Sequence, residues 1–585
     1  MKNRGIKLFT FLVLMAVIFY GVAIVNGQVR KIEKVNPQMI QKIRPVMMGP
    51  KIVINRVPLE SPQGMKIFKV QTLQVQQDLI QKLSVKHLFN VTPVSSQPVM
   101  LRARMAPSRV QVYASKEKAF TKLLVNQDRG HIDLMPDLLK LEKVKVKLLS
   151  HSVAMNAAMK YIAEMKLIPQ DVSQFAPKNV ITLGMSTQGQ GNTVAATPKL
   201  QSVAFQRSIE GRSVLGNGSQ FTINLGDNGN VEGFQRKWNR LAPDSTRGNI
   251  AFRSNDEVYN RIEEILKQQF QGNVEIQVEK PQLVYFGDDG QFVQPAYVFK
   301  ANIISNEGKG KAFYAGVVEA MQNPPELLFE AITDRILPET PMVQMKSMAA
   351  PTPSLPDPDD PTVGRYVVRQ DSWDWVDDAN DFKRGLQNGH CGGCPAITFP
   401  QFYWDEPRVF TTQDNSFADH CNIALMEGHG NHWLFTTRSN CCDVVFLNDG
   451  AQPGYGGHAG GQMAYLILKG CDIIPSPIEL PNWPDPWWRI FKGLHQAIGF
   501  RTTMFINDNI SYIFGYYLGR NCRILDSWFY ATNSSASYQW QRFIGGDVTG
   551  FGAVVMIPGH EGDGIYYTAP APDATSAGLT IWWQH

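Results

Sequence analysis

The sequence is poor in charge, in cysteine and in membrane-spanning runs. Charged residues make up 19% of the 585 residues, and the net charge is only +5. There is no Lys/Arg cluster and no nucleic-acid-binding motif, so a nucleic-acid partner is not expected. Beyond the N-terminus no segment is apolar enough to cross a bilayer. The first 390 residues contain no cysteine, and the seven that follow leave at least one without an intrachain disulfide partner.

The length predicts two to four domains, because 585 residues exceed what one core normally holds. Residues 28–60 are polar and predict a loosely ordered lead-in. Mixed helix and strand patterns predict two α+β modules, over residues 61–185 and 198–335, with a polar Gly/Gln/Thr-rich linker over 186–197. Seven prolines between positions 338 and 361 predict a second linker, residues 336–364, before a domain over 365–585.

Local patterns predict several elements of the two modules. Apolar residues at helical spacing predict helices over residues 151–167 and 258–270. Alternating patterns predict strands over residues 109–113 and 219–225. A turn signal at 227–229 predicts a hairpin, and another at 287–290 joins predicted strands over 282–286 and 295–304.

The N-terminus predicts export. Residues 8–25 form an apolar stretch that follows three basic residues, Lys2, Arg4 and Lys7. Compact residues before Gln28 predict a cleaved signal peptide over residues 1–27. The stretch is nearly long enough to span a bilayer, so an uncleaved anchor is the alternative. Either case predicts a secreted, periplasmic or cell-envelope protein, attached to a membrane only if the segment stays uncleaved.

Two apolar runs in the last third of the chain end beside a reactive residue. One run is followed by His429-Gly430 and the other by Gly470-Cys471. Such runs predict buried strands, and open parallel sheets bind substrates at the carboxyl ends of their strands. If the two strands are parallel neighbours, His429 and Cys471 leave the sheet at one edge. The pattern predicts a Cys–His pair for nucleophilic catalysis, in which imidazole removes the thiol proton and later protonates the leaving group.

Residues around this pair predict how a substrate is held. The glycines allow a substrate backbone to come close, and backbone N–H groups around Gly430 and Gly470 predict an oxyanion hole. Glu427, Asn431 and Asp472 are candidates for contacting the substrate or orienting the histidine. Asp419 is a further candidate for orientation, and the sequence does not choose among these carboxylates.

The two strand-end motifs resemble the caspase-like (clan CD) cysteine peptidases, and the surrounding residues look closest to an uncharacterised bacterial family of that fold. In these enzymes an apolar strand ends in His-Gly and a later one ends in a small residue followed by Cys. The resemblance implies a three-layer α/β domain with a mainly parallel sheet, and catalytic roles for His429 and Cys471. The caspase Gln-Ala-Cys-x-Gly signature is absent, since Lys469 and Asp472 flank the cysteine region instead. Aspartate specificity is therefore not implied.

The two N-terminal modules resemble propeptides. Residues 205–225 are similar to the opening of the propeptide of thermolysin- and fungalysin-type secreted proteases, and residues 282–304 to the PepSY-type strand pair of the same group. The resemblance implies modules that assist folding and inhibit an enzyme, and the alternative is a small binding or adhesion module. The zinc protease itself is excluded because the chain has no His-Glu-x-x-His motif.

Other candidate sites have structural alternatives. The chain has residue types that bind zinc at His390, Cys391 and Cys394, together with Cys441-Cys442 and with His420 or His432. In an exported chain, disulfides such as Cys391 with Cys394 are favoured instead. A Gly-rich stretch over residues 455–461 is interpreted as a connector. Packing roles are favoured for Trp483, Trp487, Trp488 and for His495, which is placed on an amphipathic helix.

The sequence thus predicts an exported α/β protein with two propeptide-like α+β modules and a caspase-like C-terminal domain. The predicted function is a cysteine endopeptidase made as a precursor, acting on peptide or protein substrates without a metal or a cofactor. Two alternatives stay open: an inactive secreted or envelope binding protein on a caspase-like scaffold, and a zinc-stabilised binding module.

Overall fold

The computed structural model describes residues 49–585 with gaps. The gaps are residues 72–73, 91, 94, 100–107, 117–121, 169–173, 190–191, 194, 247–249, 272–273, 289, 306–310, 330–334, 343–359, 369–371, 438–443, 451, 535, 547–548 and 567–569. The predicted signal segment over residues 1–27 therefore lies outside the described residues. No helix in the described part of the chain is both long and apolar enough to cross a membrane.

The strands are numbered in chain order. Strands β1 to β14 are Lys51–Ile54, Phe68–Gln71, Ser95–Val99, Ser108–Ala114, Lys122–Asn126, His131–Leu134, Gln174–Gly189, Asn192–Thr193, Thr197–Ile209, Arg212–Leu215, Ser219–Leu225, Val231–Trp238, Arg240–Pro243 and Val274–Val278. Strands β15 to β27 are Gln282–Phe286, Phe292–Ser305, Lys311–Glu319, Thr362–Val367, Thr398–Trp404, Ile423–Glu427, Gly430–Asn431, Leu434–Thr436, Val444–Phe446, Tyr465–Lys469, Gln496–Phe500, Gly552–Met556 and Leu579–Gln584.

The α-helices that the structure describes are numbered α1 to α10. They are Gln77–Lys86, Leu138–Glu142, His151–Met165, Asn255–Gln269, Trp373–Gly389, Trp487–Ile490, Ile510–Gly519, Ile524–Ser534, Ala536–Gly545 and Ala574–Ala577. The best-defined start is that of α4, where Ser254 and Glu257 form a capping box that satisfies two backbone N–H groups.

The C-terminal part is built on a mixed sheet, which confirms the predicted α/β class. Five strands run parallel in the order β19, β18, β20, β24 and β25, and β26 and β27 continue the sheet antiparallel. Alternate residues of β20 belong to different cores: Leu425 lies in one and Met426 in the other. The strands are buried on both faces, which explains their unbroken apolar runs.

The sheet continues from the C-terminal strands into the N-terminal half of the chain. The last strand, β27, pairs antiparallel with β7, with Leu579 opposite Gln188 and Gln584 opposite Leu183. Strand β7 in turn pairs with β9, and β9 with β10 and β11. The stretches predicted as separate modules thus share strand pairing, and residues 48–585 form one compact unit.

Most elements predicted from local patterns are confirmed. The two predicted helices correspond to α3 and α4, and the strand predicted over residues 219–225 is β11. The turn at 227–229 joins β11 to β12, and β15 and β16 pair antiparallel across the second turn signal. These elements were predictable because each has a complete local pattern followed by a turn or cap.

Three predictions about local structure are wrong. The stretch predicted as a linker over residues 186–197 lies largely in β7, β8 and β9, because pairing with β27 and β9 outweighs its polar composition. His495 is not on a helix but directly precedes the buried strand β25. Residues 28–48 of the predicted lead-in lie outside the described residues, but in its described part Lys51–Ile54 form strand β1, which pairs with β14 and is therefore ordered.

Candidate active site at the carboxyl edge of the sheet

The predicted neighbour relationship of the two motif strands is confirmed. Strands β20 and β24 pair in parallel, and their last residues, Glu427 and Lys469, lie opposite each other. His429 and Cys471 each follow two residues later, so both leave the sheet at its carboxyl edge. A Cβ atom on Gly430 would lie 2.6 Å from the carbonyl oxygen of Cys471. Glycine is required at this position because the backbone segments that follow β20 and β24 are in contact here.

Cys471 is enclosed in this structure. The residue is 2% exposed, and burial raises the pKa of its thiol to about 12. The backbone N–H of Met504 donates a hydrogen bond to its Sγ atom at 3.3 Å. Because the thiolate is the nucleophile, a thiol in this environment is protonated and unreactive at neutral pH.

His429 is enclosed as well. It is 2% exposed, and its ring meets Trp375 of α5 edge-on, with 5.7 Å between ring centroids. Its carbonyl oxygen accepts a hydrogen bond from the N–H of Thr436 at 2.9 Å, which anchors the hairpin that follows β20. The histidine is therefore held from both its ring and its backbone.

The segment that covers Cys471 is fastened to the N-terminal half of the chain. This covering segment, residues 502–507, follows β25 and includes Met504. Next to it, Phe313 of β17 pairs with Phe505. The Asn507 side chain accepts from the N–H of Ala315 at 3.1 Å and donates to the carbonyl of Ala315 at 2.6 Å. Strand β17 thus holds the segment over the thiol.

A buried charged cluster lies beneath the same edge. Lys469 forms ion pairs with Asp378 of α5 and with Asp508, the latter at 2.8 Å. Ser511 of α7 donates to Asp378 at 2.8 Å and lies 3.5 Å from Glu427. The four ionisable side chains are essentially inaccessible to solvent. One lysine therefore faces three carboxyl groups in the core.

The pKa values of this charged cluster show how its charge is distributed. Burial, with the nearby Asp378, raises the pKa of Glu427 well above its ordinary range. Burial also raises the pKa of Asp508 to about 6, against the attraction of Lys469. For Lys469, burial alone would lower the pKa, but the carboxylates outweigh it and raise the pKa. Burial thus favours the neutral form of Glu427, whereas the carboxylates favour the charged form of Lys469.

The other predicted site residues have varied positions. Glu427 belongs to the charged cluster and faces no solvent. Asn431 is exposed, and its side-chain oxygen accepts a hydrogen bond from the N–H of His432 at 2.8 Å.

Asp472 adopts a left-handed backbone conformation with φ of 57°, and Thr503 donates a hydrogen bond to its carboxylate at 3.4 Å. Asp419 instead orders the Gly-rich connector by accepting from the N–H groups of Gly456 and Met463.

The cysteines and tryptophans largely have structural roles. Cys391 and Cys394 form a disulfide with Cα atoms 5.4 Å apart. Cys441 and Cys442 lie outside the described residues, and Cys421 and Cys522 are buried free thiols. Trp483 and Trp487 are fully buried, which confirms the packing role.

Sequence reasoning missed the partners of Lys469. A lysine at the end of a buried five-residue strand requires buried counter-charges, and this signal was present in the run itself. The partners Asp378 and Asp508 are distant in sequence, so only the packing of α5 and the start of α7 against the strand ends identifies them.

Comparison with known proteins leaves the activity open. A family model described as a domain of unknown function (DUF6345) matches residues 402–545, which include His429 and Cys471. No curated protein matches the chain. A solved structure of an uncharacterized protein from Eubacterium rectale ATCC 33656 is similar at 11% identity, over 44% of this chain and 84% of that chain, with a TM-score of 0.27. The function is therefore inferred from the residues of the site.

Proposed function

We propose that the chain is an exported cysteine endopeptidase made as a precursor, on a caspase-like C-terminal scaffold with propeptide-like N-terminal modules. Cys471 is the nucleophile, and His429 is the general base and then the general acid. The observation that supports this is the parallel pairing of β20 with β24, which brings the two residues to one sheet edge.

The proposed reaction is acyl transfer from a peptide. His429 takes the proton of the Cys471 thiol as sulfur bonds to the scissile carbonyl carbon. The C–N bond then breaks, and the amine leaves with the proton that His429 returns. Water next attacks the thioester carbon, releasing the acid and restoring the thiol. Backbone N–H groups near Gly430 and Gly470 are proposed to stabilise the oxyanion.

The enclosed thiol corresponds to a latent state in this proposal. The covering segment, residues 502–507, excludes substrate, and β17 of the PepSY-like stretch holds it through Asn507. Activation therefore requires the covering segment to move away from Cys471. Cleavage in the predicted linker over residues 336–364 is the proposed trigger, because it would free the C-terminal connection of the β17 region.

One observation favours the second candidate function, an inactive binding protein. A buried thiol that accepts a hydrogen bond from the Met504 N–H is also what a purely structural cysteine has. The two candidates differ in what happens when the covering segment opens. A catalytic thiol then becomes reactive in a manner that depends on His429, whereas a structural thiol does not.

The test is alkylation of the full chain with an iodoacetamide probe, with peptide mapping by mass spectrometry. Asn507→Ala removes both hydrogen bonds to Ala315, each worth about 0.5–1.5 kcal/mol. We expect Cys471 to be labelled roughly tenfold faster in this variant than in the wild type. Adding His429→Ala to Asn507→Ala should return the labelling rate towards the wild-type value.

Two matched variants make the result specific. Asn482→Ala removes an exposed side chain bonded to Asp485 and should leave the labelling of Cys471 unchanged. His432→Ala, in the same hairpin as His429 but exposed, should not slow labelling of the opened variant. If Asn507→Ala exposes Cys471 but His429→Ala changes nothing, the binding-protein function is favoured. A Cys471→Ala chain that processes itself and cleaves peptides like wild type would also refute the peptidase.

A further inference from the structure

A second group of ionisable side chains lies at the opposite edge of the sheet. His495 directly precedes β25, and Tyr465 opens β24, so both are at the amino ends of the parallel strands. His560 and Asp563 lie in the loop after β26, which runs antiparallel and therefore ends at this same edge. The topology thus brings two imidazoles and a carboxylate together, far along the strands from Cys471.

The two imidazoles converge on one oxygen atom. The Nδ1 atom of His495 lies 2.6 Å from Oδ2 of Asp563, and Nδ1 of His560 lies 2.9 Å from it. One potential ligand atom from each residue lies within 4.8 Å of the others. All three side chains are at most 10% exposed, so the group is a built, largely enclosed site.

Charge balance distinguishes this group from the buried charged cluster at the other edge. There, Lys469 supplies the positive charge for its carboxylates. At Asp563, no lysine or arginine of the described chain forms an ion pair with the carboxylate. The side chains that contact this carboxylate among the described residues are two imidazoles and a phenol, which makes it a good site for an external cation.

We propose that His495, His560 and Asp563 bind a divalent transition-metal ion, with Zn²⁺ as the representative ion. Two imidazole nitrogens and one carboxylate oxygen form a ligand set suited to such ions, and a set of three protein ligands leaves one position for water. The ion would tie the loop after β26 to the start of β25. This inference does not depend on the peptidase proposal.

The present geometry is close to what binding requires. Tetrahedral ligands at zinc bond lengths are ~3.4 Å apart, so each nitrogen must withdraw from Oδ2 by less than ~1 Å. Small rotations of the two rings supply this. The Tyr465 hydroxyl lies 3.4 Å from Oδ2 of Asp563 and 3.1 Å from the carbonyl of Gly564. The phenol therefore orients the carboxylate from outside the ligand set.

The experiment uses the full chain, stripped with a chelator and then dialysed against ZnSO₄ or CoCl₂. We expect one tightly held Zn²⁺ per chain by elemental analysis, and a melting temperature a few degrees higher than without metal. Bound Co²⁺ should show the strong visible bands of four-coordination without a thiolate-to-metal charge-transfer band, since no cysteine is a ligand.

Variants then locate the ion. His560→Ala and the isosteric Asp563→Asn should each lose the stoichiometric metal and the Co²⁺ spectrum, while circular dichroism shows that they remain folded. The matched control is His420→Ala, which removes an exposed histidine outside the group. A folded wild-type chain without stoichiometric metal refutes the proposal, as does metal that persists in both variants. A thiolate-to-metal charge-transfer band in the Co²⁺ spectrum would instead show that cysteines bind the ion, and would refute the proposal. This spectrum is recorded on the wild-type chain, so the result holds even if a variant misfolds.

Discussion

A charged lysine at the end of a buried strand is stable only when nearby side chains carry compensating negative charge. Lys469 is fully buried and meets Asp378 and Asp508, while Glu427 on the paired strand completes the charged cluster. Desolvation makes such a cluster a weak source of net stability, but breaking it is costly because charges are left uncompensated. The cluster instead fixes the relative positions of these elements, since it joins β20 and β24 to α5 and to the start of α7 beside His429 and Cys471.

At this scale we predict that Lys469→Met lowers the free energy of unfolding by about 3–5 kcal/mol, because it leaves buried carboxylates without a cation. Urea denaturation followed by tryptophan fluorescence measures the change. Lys492→Met is the control, because its ion pair with Asp573 is about one-third exposed and should cost less than ~1 kcal/mol. Equal losses in the two variants would contradict the assigned role of the charged cluster.

Helices α5 and α7 pack at unusually short range. A Cβ atom on Gly385 of α5 would lie 2.3 Å from the carbonyl oxygen of Tyr512, and one on Gly515 of α7 would lie 2.5 Å from that of Phe382. The glycines therefore exist for contact between helix backbones and not for a turn. This contact sets the position of Asp378 and of the α7 start against the strand ends.

For this helix pair we predict that Gly385→Ala destabilises the chain by roughly 1–3 kcal/mol, although alanine is the better helix former. The added methyl group meets a backbone carbonyl, so the helices must separate. Thermal unfolding monitored by circular dichroism provides the comparison. Gly457→Ala, where nothing lies within 4 Å of the added atom, should change stability by less than ~0.5 kcal/mol. A neutral or stabilising Gly385→Ala would mean that the helices do not pack this closely.

The N-terminal and C-terminal halves complete each other across the whole molecule. Strand β7 covers the edge of β27, and Arg523 of the C-terminal half pairs with Asp137 at 2.6 Å in a buried position. Tyr530 likewise accepts a hydrogen bond from Gln235 at 2.8 Å. Removing either half would expose a strand edge and leave buried polar groups without these partners.

For the whole molecule we predict that residues 360–585, which include all of β18, do not form a soluble folded monomer when produced alone. All six residues of β27 are buried in the full chain, so its uncovered edge would provide a template for intermolecular strand pairing. Size-exclusion chromatography with light scattering gives the oligomeric state, and the chain from residue 49 to 585 is the control. A monomeric 360–585 fragment with native circular dichroism would show that the C-terminal part folds without β7.

Much of this protein could be predicted because the relevant patterns are local. Unbroken apolar runs identified β20 and β24, and the glycines after them predicted where His429 and Cys471 leave the sheet. Turn signals and helical periodicity likewise predicted β11, α3 and α4. The polar stretch over residues 186–197 was misassigned, because its strand structure depends on partners elsewhere in the chain.

By itself the sequence determined that β20 and β24 are buried strands and that His429 and Cys471 follow them, since burial and turn chemistry act over a few residues. The tertiary structure alone decided what surrounds those residues. It placed Met504 over Cys471, Asp378 beside Lys469, and His495 with His560 and Asp563 at the opposite edge. These contacts join residues far apart in the chain, and whether a thiol is reactive or a carboxylate is charged depends on such neighbours.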